Sequence, residues 1–262
     1  MKKLLTILAL AGAITTGAQA QSIITQWNFQ TVSEGLTNGT ATPNIGSGAV
    51  SLIGGTTGGT FSSGGGSSDP VQSGFGYQTT TYPAQSAASG TAGVRFDLST
   101  AGFAAPTYDG ILLSFDLRTS NTSSRWFRLD YTVDGGANWN LGTATILGDP
   151  AASAGDTFHN ANSLLVSDLA ALDNPDFGFR VVSVFSPDAF TQVSGNISYG
   201  ADAAYEVARN GQAGTISAYA GTGTWRVDMA TATAVPEPST YALLALAGAG
   251  LAAYRFRRRA RR

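Results

Sequence analysis

Hydrophobic and polar residues alternate with a period of two along five segments of the chain. Such alternation places one row of side chains on each face of a pleated strand, so each segment predicts a half-buried β-strand. The segments run over Val94–Leu98, Ile111–Leu117, Phe127–Val133, Phe177–Phe185 and Trp225–Met229. In the last of them the pattern places Arg226 and Asp228 on the outward face.

Glycine and other turn residues separate these strands. Asp134–Asn138 contains two consecutive glycines and predicts a tight turn, with Trp139–Leu147 as the returning strand of a hairpin. The glycine-rich stretch Asn38–Gly66 predicts loops around one or two short strands. One helical turn is predicted over Ser163–Leu172, from the spacing of its leucines and the Asn174-Pro175 that follows. Many short strands with little helix predict an all-β fold, an antiparallel β-sandwich over residues 21–233.

The first twenty residues have the three parts of a secretory signal peptide. Lys2 and Lys3 precede the apolar run Leu4–Ile14, and Ala18 and Ala20 form a small-x-small cleavage site. We therefore expect an N-terminal signal helix over residues 1–20 that is removed on export. The mature chain is expected to begin at Gln21.

Setting the two ends of the chain aside changes its charge. Both lysines lie in the signal segment and six arginines lie after residue 254, which leaves seven arginines against 17 acidic residues. An acidic body lacks the positive surface that phosphate backbones require, so nucleic acid is not an expected partner. The chain has no cysteine, which excludes disulfides, thiolate metal sites and a cysteine nucleophile.

A different composition begins at residue 234. It starts with a spacer that two prolines keep extended: Val235, Pro236, Glu237, Pro238, Ser239 and Thr240. The apolar stretch Tyr241–Tyr254 follows; as a helix it is about 21 Å long, short for a bilayer core of about 30 Å. We expect it to be a marginal transmembrane helix. The chain ends on a basic cluster that the positive-inside rule holds on the cytoplasmic side: Arg255, Arg257, Arg258, Arg259, Arg261 and Arg262.

This order of spacer, apolar stretch and arginine cluster over residues 234–262 resembles the PEP-CTERM sorting domain of Gram-negative bacteria, a domain that is also labelled after ice-binding proteins. The resemblance implies recognition by an exosortase through the sorting motif Val235, Pro236, Glu237 and Pro238, with cleavage near its last three residues. It further implies a transient inner-membrane intermediate and release to the cell surface or an exopolysaccharide matrix. The alternatives are a plain C-terminal membrane anchor and a linker followed by a disordered basic tail.

The hairpin segment of the body carries a weaker similarity. The turn Asp134-Gly135-Gly136-Ala137-Asn138-Trp139 between two strands resembles a hairpin of exported jelly-roll or laminin-G-like sandwiches. The resemblance implies a jelly-roll-like sandwich, but it does not imply any catalytic or binding residue.

Few residues of the body suggest catalysis or metal binding. His159 is the only histidine, no G-x-S-x-G motif accompanies it, and one histidine cannot form a two-histidine zinc site, so we expect a solvated loop residue. Glutamates are scarce, which disfavours a glycosidase carboxylate pair. Asp130 and Asp134 could hold calcium through oxygen ligands, but ordinary turn chemistry is favoured. We expect no enzyme activity, no cofactor and no metal.

Two tryptophans are the best functional candidates in the body. Trp126 and Trp139 flank the Asp-Gly-Gly turn, and if both lie exposed on one outer face they could stack against sugar rings. The alternative is that a loop covers them. The sequence therefore leaves two functions open: a structural or adhesive surface protein, and a carbohydrate-binding module that contacts exopolysaccharide. A glycan-active enzyme is a distant third.

Overall fold

The computed structural model of the protein describes residues 21–33, 36–71, 74–149, 151–211 and 217–237. The predicted signal helix over residues 1–20 and the predicted transmembrane helix over residues 241–254 lie outside these ranges. Inside them, no helix has the length and apolar character needed to cross a membrane.

The described residues form fifteen β-strands and one short 3-10 helix. The strands are β1 Ser22–Trp27, β2 Gln30–Ser33, β3 Leu36–Gly39, β4 Gly48–Ile53, β5 Thr57–Ser63, β6 Phe75–Thr80, β7 Gly93–Leu98, β8 Tyr108–Thr119, β9 Trp126–Thr132, β10 Thr145–Ile146, β11 Phe158–Val166, β12 Phe177–Ser183, β13 Phe190–Gln192, β14 Ile197–Tyr199 and β15 Trp225–Pro236. The 3-10 helix spans Leu169–Ala171.

The long strands form two sheets. The larger sheet has the order β11-β8-β15-β6-β5, and β1 pairs with β15 beside this path. The smaller sheet has the order β10-β9-β12-β7-β4, and β2-β3 and β13-β14 form separate short ladders. All ladders between these strands are antiparallel. The predicted all-β antiparallel architecture is confirmed, while the finer jelly-roll-like assignment stays an interpretation.

The two sheets pack face to face through aromatic side chains. Phe115 of β8 meets Phe127 of β9 edge-on, with ring centroids 5.4 Å apart. Trp27 of β1 lies 5.1 Å from Phe96 of β7, which in turn stacks on Phe179 of β12 at 4.7 Å. The four phenylalanines come from the alternating apolar rows, Trp27 comes from a strand that the pattern did not predict, and all five side chains are buried. The hydrophobic effect of burying such large side chains therefore holds the sandwich together.

The helical turn predicted over Ser163–Leu172 is wrong. Residues Phe158–Val166 form β11, which pairs antiparallel with β8, and only Leu169–Ala171 is helical. The leucine spacing suggested one buried helical face, but Leu165 and Leu169 are exposed while Leu172 is buried. Pairing with a distant strand satisfies the backbone hydrogen bonds of this segment, and the local pattern does not reveal that partner.

Candidate functional site

The final strand of the larger sheet leads directly into the predicted sorting segment. Val235 pairs with Gly110, and Pro236 pairs with Tyr108 after a register shift. The backbone N–H of Glu237 donates to the carbonyl of Thr107 at 3.1 Å. A proline is tolerated at this position because a strand end does not need its missing N–H. The sheet thus continues three residues past the predicted end of the body at residue 233.

The exposure of the sorting residues changes abruptly along this stretch. Ala234 is fully buried, Val235 and Pro236 are half-buried, and Glu237 is exposed. Pro238 and the basic cluster lie outside the described residues, as do Ala18 and Ala20 of the signal cleavage site. The first two residues of the predicted cleavage motif therefore belong to the folded body, and the third emerges from it.

The beginning of the mature body lies next to this exit point. β1 starts at Ser22, two residues after the predicted signal cleavage site, and Ser22 pairs with Ala234 of β15. The two predicted processing junctions consequently meet at the same end of the larger sheet.

Trp126 does not have the exposure that we expected for a sugar platform. It is only 8% exposed, and it packs with Val182 and Val184 on the outer side of the smaller sheet. Its indole N–H donates to the Glu206 carboxylate at 2.8 Å. The segment that contains Glu206 is held there by a backbone bridge between Ser124 and Val207. The expectation of an exposed Trp126 is wrong, and the alternative, a tryptophan covered by a loop, describes it correctly.

Trp139 is half-buried and lies over two arginines of the same outer surface. The guanidinium carbon of Arg180 is 4.2 Å from the ring centroid, and that of Arg95 is 5.4 Å away. Arg180 and Arg95 are cross-strand partners on β12 and β7, so the indole lies over one residue pair of the β12–β7 ladder. Stacking of a guanidinium on an indole contributes about 0.5–1 kcal/mol at such a site. An open groove of about 340 Å³ runs past Asp97, Gly135 and Asp176 beside this cluster.

The arginines under Trp139 are anchored by carboxylates. Asp130, fully buried, accepts hydrogen bonds from Arg128 Nε at 2.6 Å and from Arg180 Nε at 3.0 Å. Arg95 pairs with Asp97 at 2.6 Å. Asp130 is thus the buried anchor of the outer surface of the smaller sheet.

Asp134 has the role that ordinary turn chemistry predicts. Its carboxylate accepts the backbone N–H and the side-chain amide of Asn138, at 2.9 and 2.7 Å, and the Thr132 hydroxyl at 2.7 Å. These donors lower the pKa of Asp134 to about 2, because they stabilise the ionised form. The hydrogen bonds close the turn that precedes Trp139.

His159 lies on a strand and not in the solvated loop that we expected. It belongs to β11, pairs with Leu117 of β8 and is half-buried. Its Nε2 is buried and has no hydrogen-bond partner among the described residues. Burial lowers the pKa of His159; a hydrogen bond with the Ala154 backbone partly opposes this shift, and the charge of Arg125 adds to it. The imidazole is therefore held mainly in its neutral form at pH 7.

Three buried aspartates form a cluster on the outer side of the larger sheet, which the sequence pattern did not predict. Asp69, Asp116 and Asp228 are 2%, 1% and 0% exposed. Asp116 and Asp228 are cross-strand partners on β8 and β15, and Asp69 belongs to the loop that follows β5. The alternation along β15 placed Asp228 correctly on the outer side, but it could not show that this loop returns to cover it.

Protein donors satisfy most of the oxygens of this cluster. The backbone N–H and the hydroxyl of Ser68 donate to Asp116 at 2.5 and 2.7 Å, and Gln30 Nε2 donates to Asp69 at 2.6 Å. Asp228 Oδ1 accepts the N–H of Met229 at 2.8 Å, but its Oδ2 has no donor among the described residues. Burial raises the pKa of Asp228 to about 7, and the charges of Asp69 and Asp116 add to the effect.

Comparison with known proteins identifies the C-terminal segment. No curated protein matches this chain significantly. The family model of the PEP-CTERM protein-sorting motif matches residues 234–262, the segment that leaves the larger sheet at the end of β15. Residues 234–262 are therefore a PEP-CTERM sorting motif, which implies export, processing by an exosortase and sorting to the cell surface.

Proposed function

We propose that the protein is a structural or adhesive component of the bacterial cell surface, delivered there by its sorting motif, and that it has no enzyme activity. The observation that carries the proposal is the match of residues 234–262 to the PEP-CTERM motif, in continuity with a strand of the β-sandwich. Because the body contains no cysteine, its stability outside the cytoplasm depends on an ordinary hydrophobic core and not on disulfides.

The proposed route begins with removal of residues 1–20 after Ala20. The stretch Tyr241–Tyr254 then holds the protein transiently in the inner membrane of a Gram-negative bacterium, with the arginine cluster on the cytoplasmic side. The stretch is too short for stable insertion on its own, which suits a temporary anchor. Cleavage by the exosortase releases the body to the surface or into an exopolysaccharide matrix.

A fusion of residues 234–262 to an unrelated exported reporter tests this route. We expect the reporter to be cleaved and released in a host that has an exosortase, and to stay full-length in the membrane fraction of a host that lacks it. A matched fusion with Glu237→Ala and both motif prolines changed to alanine should stay uncleaved in both hosts. Immunoblots of membrane and medium fractions measure the outcome. Equal processing in both hosts would show that an unrelated protease acts on the tail.

A second candidate function is binding of exopolysaccharide through Trp139. The observation that favours it is the half-exposed indole, stacked on Arg180 at 4.2 Å, on the surface where Arg95 pairs with Asp97, a residue that lines an open groove. Sugar rings stack on such indoles, and the neighbouring arginines and aspartates can form hydrogen bonds with hydroxyl groups.

Pull-down with exopolysaccharide from the producing strain tests this candidate. We expect Trp139→Ala to reduce the bound fraction at least tenfold and Trp139→Phe, which keeps an aromatic ring, to retain most of it. Circular dichroism of both variants should match the wild type, because Trp139 lies outside the core. Unchanged binding by Trp139→Ala would exclude the indole as the contact.

A further inference from the structure

The hairpin of β13 and β14 is a two-stranded ladder that, in the described part of the chain, joins neither of the two sheets. Its cross-strand pairs are Phe190 with Tyr199, Thr191 with Ser198 and Gln192 with Ile197. A ladder of two strands is marginal in water, because each strand pairs on one side only. The outer edges of this hairpin are therefore where a further strand would add stability.

One edge of the hairpin is already capped. The side-chain amide of Asn210 donates to the carbonyl of Thr191 at 3.0 Å, and its oxygen accepts the N–H of Val193 at 2.8 Å. An asparagine side chain thus takes the place of a third strand beside β13. Because the carbonyl of Thr191 points away from β14, Thr191 and its partner Ser198 form a pair of the antiparallel ladder whose backbone groups face outward.

The other edge, along β14, is open. The N–H and C=O of Ser198 face away from β13, and among the described residues they make no hydrogen bond outside the ladder. Ser198 is exposed, its neighbour Ile197 is 46% exposed, and Val193 in the turn is 44% exposed. Residues 189–201 carry no charge. The edge therefore lacks the charged side chains with which edge strands avoid pairing.

The open edge of β14 is complementary to itself. If Ser198 lies opposite Ser198 of a second copy in an antiparallel pair, the two residues exchange two N–H···O=C bonds, because both groups of each residue face the other. The same register places Ile197 opposite Tyr199 of the other copy, on one face of the four strands. A β-branched side chain beside an aromatic ring is a favourable cross-strand pair. The ring of Tyr199 is already packed on Phe190, with centroids 5.3 Å apart.

The distribution of charge favours the same partner. The body carries seven arginines against 17 acidic residues, so two copies repel each other over most of their surface. The uncharged hairpin is a place where they can approach without bringing like charges together.

The hairpin lies at the end of the body that faces away from the sorting segment. β15 runs from Trp225 to Pro236, about 35 Å along the strand, and the sorting segment leaves from its second end. At its first end, Trp225 packs on Tyr82 at 5.1 Å. Tyr219 connects this region to the hairpin, because its hydroxyl donates to the carbonyl of the residue after Tyr82 and its N–H donates to Gln192. While the chain is anchored through its sorting segment, β14 therefore lies at the far end of the body.

We propose that β14 is a self-association edge: it pairs antiparallel with β14 of a second copy about a two-fold axis at Ser198, and so links copies of the protein at the cell surface. This inference rests on the proposed structural or adhesive function and names the chain itself as the partner. Two backbone hydrogen bonds and two contacts between Ile197 and Tyr199 form a small interface of the weak, transient class. A surface that carries many copies strengthens such a contact through multivalency.

Disulfide cross-linking tests the pairing and its register. The chain has no cysteine, so Ser198→Cys introduces a single thiol. In the proposed pair the two Cα atoms of residue 198 are about 5.5 Å apart, a distance that a disulfide can bridge. We expect full-length Ser198→Cys in detergent to form a covalent dimer under mild oxidation with diamide, measured by non-reducing electrophoresis.

Thr191→Cys is the matched control. Thr191 is exposed on the same face of the hairpin, but it lies on the capped strand, and both variants lose the same contact between the hydroxyls of Thr191 and Ser198. We expect the dimer to form about tenfold faster with Ser198→Cys, because two thiols on the capped strands lie beyond disulfide distance. Equal rates would indicate random collision or association through the apolar tail, and they would overturn the inference, as would the absence of any dimer.

Clustering of beads tests whether the edge links copies. Full-length protein with a biotin tag after Arg262 is attached to streptavidin beads, which leaves β14 at the outer end. We expect wild-type beads to cluster and Ile197→Asp to lower the clustered fraction about tenfold, because the two added carboxylates approach each other across the axis. Leu169→Asp is the control, since Leu169 is 65% exposed and follows β11 near the opposite end of the body, and its beads should cluster like the wild type.

The outcomes separate this inference from the proposed function. Clustering of Ile197→Asp beads at the wild-type level, or loss of clustering in both variants, overturns the edge. Surface fractionation of the producing strain tests the function by itself. Protein that is found at the surface but does not cluster on beads refutes the edge alone, whereas protein that never reaches the surface refutes the proposed function.

Discussion

Replacing Asp228 with asparagine should change the free energy of unfolding in a pH-dependent way. The difference between variant and wild type should be about 2–3 kcal/mol more favourable to the variant at pH 8 than at pH 5. Asp228 is fully buried beside Asp69 and Asp116, and within the described part of the chain its Oδ2 has no hydrogen-bond donor. At pH 8 the wild-type side chain must ionise in this environment. Asparagine keeps the shape of the side chain and removes that cost.

The direction of this pH dependence follows from the direction in which the pKa of Asp228 is shifted. Burial raises the pKa of Asp228 from its ordinary value of 3.8 to about 7, so between these values the folded state binds more protons than the unfolded state. Stability from this group is therefore greatest at low pH and is lost as the pH rises through about 7. The full shift corresponds to roughly 4 kcal/mol, of which part has already been lost at pH 5.

Urea unfolding of the exported protein at pH 5 and pH 8 measures this difference, with each variant compared with the wild type at the same pH. Asp156→Asn serves as a control, because it removes one negative charge from an exposed carboxylate that pairs with Arg118. If Asp228→Asn changes the free energy of unfolding equally at both pH values, the buried carboxyl does not titrate in this range.

The strands that the sequence predicted well are those whose pattern is local. Ile111–Leu117 and Phe127–Val133 alternate strictly, and both lie within or almost entirely within observed strands. Each has one apolar row facing the opposite sheet, as Phe115 and Phe127 show. Period-two patterning encodes which side chains enter the core, so no knowledge of the partner strand is needed.

Coverage of the outer faces could not be predicted, because it depends on segments far away in the chain. Trp126 is covered by the segment around Glu206, and Asp228 by the loop that contains Asp69. Nothing near either residue in the sequence signals that cover. The error at Ser163–Leu172 has the same origin, since β11 gains its hydrogen bonds from β8.

The identity of the sorting motif could be predicted from the sequence, but its pairing with the folded body could not. Its residues are contiguous, so their order and composition identify it, and the family model matches the same range. Its attachment to the body is not local, since Val235 and Pro236 pair with Gly110 and Tyr108, more than a hundred residues earlier. An extended spacer in the sequence is therefore, at its start, a strand of the folded sheet.

Asp130 is the second residue at which a large effect is expected. Its carboxylate is fully buried and accepts four hydrogen bonds, two from Arg128, one from Arg180 and one from the N–H of Gly142. Removing it leaves two guanidinium groups without their anion in a partly desolvated site. Such losses destabilise a protein by about 3–5 kcal/mol when the remaining charge is fully buried.

We expect Asp130→Ala to lower the free energy of unfolding by about 3 kcal/mol, at the lower end of that range, because the side chains of Arg128 and Arg180 remain 20% and 16% exposed and can regain some water. Asp97→Ala is the matched control: it breaks the Arg95 pair on the same surface, but the Asp97 side chain is 40% exposed, so the loss should be about 1 kcal/mol or less. Urea unfolding at pH 7 measures both. Asp130 is fully buried and binds two arginines, whereas Asp97 is partly exposed and binds one, so equal losses would mean that the carboxylate of Asp130 is hydrated in solution and does not anchor Arg128 and Arg180.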